Sequence, residues 1–194
     1  MKVFGLTGGI GMGKSTSAEF LRARGVAVVD TDVLAREIVE PGGPALAEIT
    51  ALFGGGVIDA SGALRRDRLA ELVFADAAKR WQIEAILHPR IRYLWQQQIE
   101  TWRLEKRPIA VVVIPLLYET DAAASFDRVI CVACSARSQR GRLLARGWSP
   151  EQIDRRNQAQ WSVEKKMALA HHVIWTEGAL EVHAAQLDRI LAAL

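Results

Sequence analysis

The chain has 194 residues, half of them apolar, and a formal net charge of +3. That length suits one domain with excursions and a sizeable core. No apolar run is long enough for a membrane-spanning helix, and the N-terminal apolar stretch meets glycines too soon for a secretory signal.

Lys2–Leu6 reads as a first strand, and it runs straight into Gly5-Leu-Thr-Gly-Gly-Ile-Gly-Met-Gly-Lys-Ser-Thr16. From Gly8 to Ser15 this is G-x-x-x-x-G-K-[ST], a phosphate-binding loop. The spacing has a physical reason. Gly8, Gly9, Gly11 and Gly13 let successive N–H groups turn inward as an anion nest, and the helix predicted over 14–24 adds its positive end. Lys14 reaches the outer phosphates of a nucleotide, Ser15 offers Mg²⁺ a hard oxygen, and Thr16 and the variable Met12 complete the loop.

Val26–Asp30 is a second, short strand ending in Asp30-Thr31-Asp32. In an open parallel sheet, ligands bind beyond the carboxyl ends of strands. One of these acids is expected to accept a proton from an attacking hydroxyl and the other to support the metal; N-capping of the following helix is the alternative use. A helical insertion follows, broken by Pro41-Gly-Gly-Pro44 and Phe53-Gly-Gly-Gly56. Between Ala77 and Lys106 the apolar residues Trp81, Ile86, Leu87, Ile91, Leu94, Trp95 and Trp102 recur at helical spacing, and the tryptophans are expected in the core. His88-Pro89 predicts a helix boundary there.

Ile109–Ile114 is a third strand, apolar throughout and expected to be buried on both faces. Val129–Ala133 is a fourth and His172–Trp175 a fifth, with helices predicted over 136–146, 150–169 and 179–193. Cys131 and Cys134, the two cysteines, lie in or beside a buried strand with no second Cys or His pair, so core thiols in a reducing cytoplasm are expected. Gln139, Arg142 and Arg146 fall on one helical face, as a lid over a nucleotide requires, or as a plain polar stripe. Ser149-Pro150-Glu151-Gln152 is a capping box. The alternation argues for an α/β fold with a five-stranded parallel sheet covered by helices. The phosphate loop, the helical insertion and the candidate lid make the three-layer phosphate-loop kinase type the expected architecture. The core spans about 1–31, 107–134 and 170–194, the insertion 32–106 and the lid 135–169.

Absences narrow the class. Asn157 is followed by Gln158, so no Asn-Lys-x-Asp guanine motif exists, and the third strand leads into Pro115-Leu-Leu-Tyr-Glu119 rather than a Walker-B acid. A small-molecule kinase is favoured over a nucleotide-dependent switch or binding protein. Taken together, "GLTGGIGMGKST", "VVDTDVLAREIVEPGGPAL", "FGGGVIDASGALRRDRLAELVFAD", "ILHPRI", "IPLLYE" and Gln139-x-x-Arg142-x-x-x-Arg146 followed by "QAQWSVEKK" resemble the dephospho-CoA kinase family, in order along nearly the whole chain.

The resemblance implies transfer of the ATP γ-phosphate to the ribose 3′-hydroxyl of dephospho-CoA, with ATP and Mg²⁺ on the core and the acceptor on the insertion. It implies Asp32 as proton acceptor, Arg142 and Arg146 as neutralisers of transferring charge, and Arg36 on an acceptor phosphate. His88 and Glu119 match the family pattern as substrate-side residues. A cytoplasmic monomer or weak homo-oligomer is expected, without nucleic-acid or membrane partners; a kinase of another hydroxyl acceptor is the alternative. The chain departs from the family's usual Asp at His171, from Asp-Asn at Trp175-Thr176, and by a loop one residue shorter near Gly147. These positions leave nucleotide preference open.

Overall fold

Apolar strands that bury both faces need helices on both sides, and this chain supplies them. The computed structural model describes residues 1–193, at positions 74 and 75 in backbone only. It divides into two compact units, 1–29 with 101–194, and 30–100.

The first unit is built on β1 (Lys2–Gly8), β2 (Ala27–Asp30), β3 (Ile109–Val113), β4 (Arg128–Ala133) and β5 (His172–Trp175), in the order β2-β3-β1-β4-β5. β1 pairs in parallel with β3 on one side and β4 on the other, and β4 with β5. The chain leaves β1 toward one edge and later returns to fill the other. The end of β1 is therefore a topological switch point, where such sheets bind ligands. Helices α1 (Lys14–Ala23) and α9 (Leu180–Ala192) pack together on one face. Phe4, Leu6, Leu21, Val111, Val113, Ile130, Ile174 and Leu187 form the core there. Cutting one of the leucines or isoleucines here back to Ala costs about 2–5 kcal/mol. Gly8 pairs with Val132, and a Cβ on it would meet the Val132 carbonyl oxygen at 2.1 Å. Only glycine lets the sheet run this far before the loop begins.

The same unit carries α6 (Ala136–Ala145), α7 (Pro150–Gln158) and α8 (Val163–Leu169). The single helix expected over 150–169 is two. The capping box at Ser149 and Gln152 starts α7 as expected, but Ser162 accepts from Lys165 N at 3.3 Å and starts α8 anew. α8 packs against β1 and β4.

The second unit is helical: α2 (Thr31–Glu37), α3 (Pro44–Phe53), α4 (Arg66–Ala75) and most of α5 (Ala77–Leu104). Val39, Ala45, Ile49, Val57, Leu69 and Ile83 form its own core. The boundary expected at His88-Pro89 is absent, because α5 continues through Pro89. A proline there removes one backbone donor. Arg90 ties down the same turn, donating to the Ile86 carbonyl at 2.7 Å and to Glu48 on α3 at 2.5 Å. The tryptophans divide: Trp95 and Trp102 are buried as expected, but Trp81 is 70% exposed. Among the described residues, no helix is long and apolar enough to cross a membrane.

Candidate active site

The phosphate loop joins β1 to α1 over 9–13. Gly8, Gly11 and Gly13 all have positive φ, at 144°, 71° and 103°, so the glycines serve the turn itself. Gly13 is the N-cap of α1 and gives no side-chain cap. No side chain at the N-cap competes for the first-turn N–H groups, and the helix dipole there favours negative charge, as an anion site requires. Lys14 folds back over the loop, donating to the Gly8 and Gly9 carbonyls at 2.9 Å each. Ser15 is exposed in the first turn and Thr16 half-buried. Met12 is buried, its sulfur 2.8 Å from where a Cβ on Gly9 would stand, so its side chain packs against the loop.

Two side chains clamp α6 to this loop. Gln139 donates to the Ile10 carbonyl at 2.8 Å and to Asn157 on α7 at 3.0 Å. Arg142 reaches the residue after β5, donating to Thr176 Oγ1 at 2.8 Å and to the Thr176 carbonyl. Thr176 in turn donates to the Met12 carbonyl at 2.9 Å. Arg146 is the C-cap of α6 and is exposed. The expected polar face is thus graded: Gln139 is buried, Arg142 half-buried and Arg146 in solvent.

Glu177 secures the same end of β5 to the start of α6. It accepts from Ser135 N at 3.1 Å, Ser138 Oγ at 2.6 Å, Ser135 Oγ, and Trp175 Nε1 at 3.1 Å. The Ser135 and Ser138 hydroxyls push its carboxyl down to about 2. Beneath the loop's helix, Ser17 Oγ and His183 Nε2 meet at 2.8 Å. Burial, then the nearby Arg142 charge, lowers the pKa of His183.

Glu119 faces Lys166. Its Oε1 accepts from the Lys166 ammonium and from Trp161 N, both at 2.8 Å. Lys166 has no solvent exposure and also donates to the Pro115 carbonyl at 2.7 Å. Glu119 Oε2 and the Tyr118 hydroxyl are buried without a partner. Beside the loop, a cavity of about 160 Å³ is lined by Gly9, Met12, Gln139, Asn157, Trp161 and Glu164 among others.

The remaining predicted residues lie in the second unit. Asp30 ends β2 and caps α2, accepting from Asp32 N at 2.9 Å. Asp32 and Arg36 occupy the first and last turns of α2, both exposed. His88 is half-buried on α5, its pKa lowered by burial first. A cavity of about 550 Å³ in this unit is lined by Glu37, Ile38, Pro44, Pro89, Tyr93 and Leu94 among others. Glu37 and Pro89 are the neighbours of Arg36 and His88. No cluster of three His, Cys, Asp or Glu forms a metal cage among the described residues. A single hydroxyl such as Ser15 suits Mg²⁺, which keeps waters and takes oxygens from phosphates.

Sequence reasoning missed Lys166, Thr176 as a bonding residue, and Glu177. Lys166 reads as one charge in Glu164-Lys-Lys166, and its partner Glu119 is far away in sequence. A Thr and a Glu after an apolar strand carry no motif.

A central parallel strand, an uncapped helix, a lysine over the loop and an arginine-bearing helix clamped beside it define a phosphate-loop protein of the small-molecule kinase type. A family model for dephospho-CoA kinase matches residues 2–181. The dephospho-CoA kinase of Anaeromyxobacter dehalogenans (strain 2CP-C) is 46% identical over 195 residues, covering 100% of this chain and 92% of the relative. A crystallised Thermus thermophilus protein is 35% identical with a TM-score of 0.85, over 100% of this chain and 97% of its own. Dephospho-CoA kinase from Campylobacter jejuni, 24% identical over 99% of this chain and 96% of its own, shares the fold with a TM-score of 0.73. The chain belongs to the dephospho-CoA kinase family.

Proposed function

We propose that the protein transfers the γ-phosphate of ATP to the ribose 3′-hydroxyl of dephospho-CoA, giving coenzyme A and ADP, the last step of coenzyme A synthesis. The observation that carries this reading is the uncapped start of α1 beneath Lys14, in a chain that matches this family over residues 2–181. The new bond joins the 3′-oxygen to the γ-phosphorus; the bond that breaks joins that phosphorus to the β–γ bridging oxygen, which leaves on ADP. The hydroxyl proton goes to the Asp32 carboxylate.

Phosphoryl transfer asks the protein mainly for alignment and charge neutralisation. The loop N–H groups of 9–16 cradle the phosphates, and Lys14 meets the outer ones. Arg142 and Arg146 neutralise the moving charge. Mg²⁺ arriving with ATP would take the Ser15 hydroxyl, with Asp30 as its outer support, and would draw charge from the β- and γ-phosphates. Arg36, His88 and Glu119 serve the acceptor side. The enzyme works in the cytoplasm, where Cys131 and Cys134 stay as the buried free thiols they are here, and as a monomer or weak homo-oligomer.

ADP release from ATP-Mg²⁺, measured with and without dephospho-CoA and with adenosine and AMP as controls, tests the reading. Strong stimulation by dephospho-CoA, with coenzyme A identified by mass, is expected. Stimulation only by another hydroxyl acceptor would keep the kinase and replace its substrate. Tight ATP binding with no acceptor-dependent turnover would favour a nucleotide-dependent binding protein.

A further inference from the structure

We infer that Thr176 is a positioning residue for the transfer reaction, aligning Arg142 and one amide of the phosphate loop together through a single hydroxyl. The inference rests on the role proposed above for Arg142. Thr176 follows β5, and its N–H still bonds to the Ala133 carbonyl at 2.8 Å, so its backbone is fixed by the sheet. The side chain is buried at 6% exposure. Its hydroxyl accepts from Arg142 Nη1 at 2.8 Å and donates to the Met12 carbonyl at 2.9 Å. Its own carbonyl accepts from Arg142 Nη2. Its methyl carbon lies 3.2 Å from where a Cβ on Gly13 would stand.

Each contact has a consequence. A trans peptide is planar, so its C=O and N–H point in opposite directions. Holding the Met12 carbonyl on Thr176 therefore aims the Gly13 N–H the other way, as one fixed donor of the loop. Arginine has a long side chain that loses much rotamer freedom when ordered. Two bonds to Thr176 order the Arg142 guanidinium before any nucleotide arrives. Groups aligned in advance do not have to reorganise as charge moves, and that is where electrostatic catalysis gains. Thr176 needs no contact with substrate to act in this way.

The role requires one acceptor and one donor on a short side chain. Serine keeps both, and asparagine supplies both through its carbonyl and amide. Valine keeps the shape against Gly13 and loses both. The test compares Thr176→Val, Thr176→Ser, Thr176→Asn, Arg142→Ala and the Thr176→Val/Arg142→Ala double variant for kcat, KM for ATP and melting temperature. The Arg142 guanidinium nitrogen signals are followed by NMR without nucleotide. Thr176→Val is expected to lower kcat by about tenfold to a hundredfold, as small misplacements do, while KM for ATP moves less than about threefold. Thr176→Ser and Thr176→Asn should stay near wild type. The double variant should be no slower than Arg142→Ala alone, because the two act as one unit. In the NMR spectrum the Arg142 signals should be slowed and resolved in the wild type and averaged in Thr176→Val.

Wild-type kcat in Thr176→Val would overturn the inference, as would independent, multiplying losses in the double variant. A loss that serine fails to rescue, together with a fall in melting temperature, would assign Thr176 to packing alone. If the wild type shows no dephospho-CoA-dependent turnover, the proposed function fails on its own. The nucleotide-free NMR comparison then decides the positioning of Arg142 without it: unchanged guanidinium signals in Thr176→Val would overturn the inference.

Discussion

Asp30 and Asp32 stand two residues apart and divide the work of a helix start. Asp30 Oδ1 accepts the Asp32 amide and caps α2, which fixes the first turn that presents Asp32. The cap uses the Asp32 backbone, not its carboxylate. Asp32→Asn therefore keeps the backbone cap of that turn while removing the carboxylate charge and its capacity to take a proton. The expected result is a kcat lower by about 10²–10⁴ with unchanged circular dichroism and melting temperature. Near-normal turnover in that folded variant would remove Asp32 from the reaction. At this scale, what the sequence revealed was local. The loop residues from Gly8 to Ser15 are consecutive, and each has a reason readable from its neighbours. Glu119 and Lys166 are the contrary case. A lysine with no solvent exposure survives because the Pro115 carbonyl and Glu119 accept hydrogen bonds from its ammonium, and breaking such a buried pair from one side costs about 3–5 kcal/mol. Nothing local in either segment records the other.

Elements were legible wherever period and flanking residues agreed. All five strands lie where apolar, β-branched runs put them, and Ser149-Pro150 began α7 as its capping chemistry requires. The failures come where tertiary packing outweighs a local preference. Pro89 should have ended a helix, but α5 packs on both sides of it and Arg90 ties that turn to α3. The stretch 150–169 keeps helical composition throughout, yet Ser162 offers a second cap and the chain restarts. The joint between β5 and α6 was the least legible, because it depends on Glu177 gathering the Ser135 and Ser138 hydroxyls from a distant segment. That joint has a pH signature. Those hydroxyls hold the Glu177 carboxyl down to about 2, from an ordinary value of 4.5. A depressed carboxylate stabilises the fold fully above its unfolded pKa, and this contribution fades as pH falls toward the folded value. Thermal unfolding of the wild type and of Glu177→Gln, followed from pH 6 to pH 2, should show a constant gap above about pH 5 that narrows steadily below it. Curves that stay parallel to the acid end would mean that Glu177 contributes through shape rather than charge.

At the scale of the whole molecule, each compact unit has a core of its own. Phe4, Leu21, Val111, Ile130 and Leu187 belong to one, and Val39, Ile49, Leu69 and Ile83 to the other. A ligand that binds only folded protein stabilises first the segments whose opening would release it. The phosphate loop, Lys14, Gln139 and Arg142 all lie in the unit of 1–29 and 101–194, whereas Asp32, Arg36, His88 and the cavity beside Glu37 and Pro89 lie in 30–100. The two substrates should therefore leave separate footprints in amide hydrogen exchange. An unhydrolysable ATP analogue with Mg²⁺ should slow exchange over 8–17 and 136–146. Dephospho-CoA alone should slow it over 36–45 and 86–94, where α2, α3 and α5 line that cavity. The acceptor footprint discriminates most, because an adenine nucleotide half is common to both ligands and could occupy the phosphate loop in either case. Dephospho-CoA that slows only 8–17 and leaves 36–45 and 86–94 unchanged would place the acceptor outside the helical unit, and would withdraw Arg36 and His88 from its recognition.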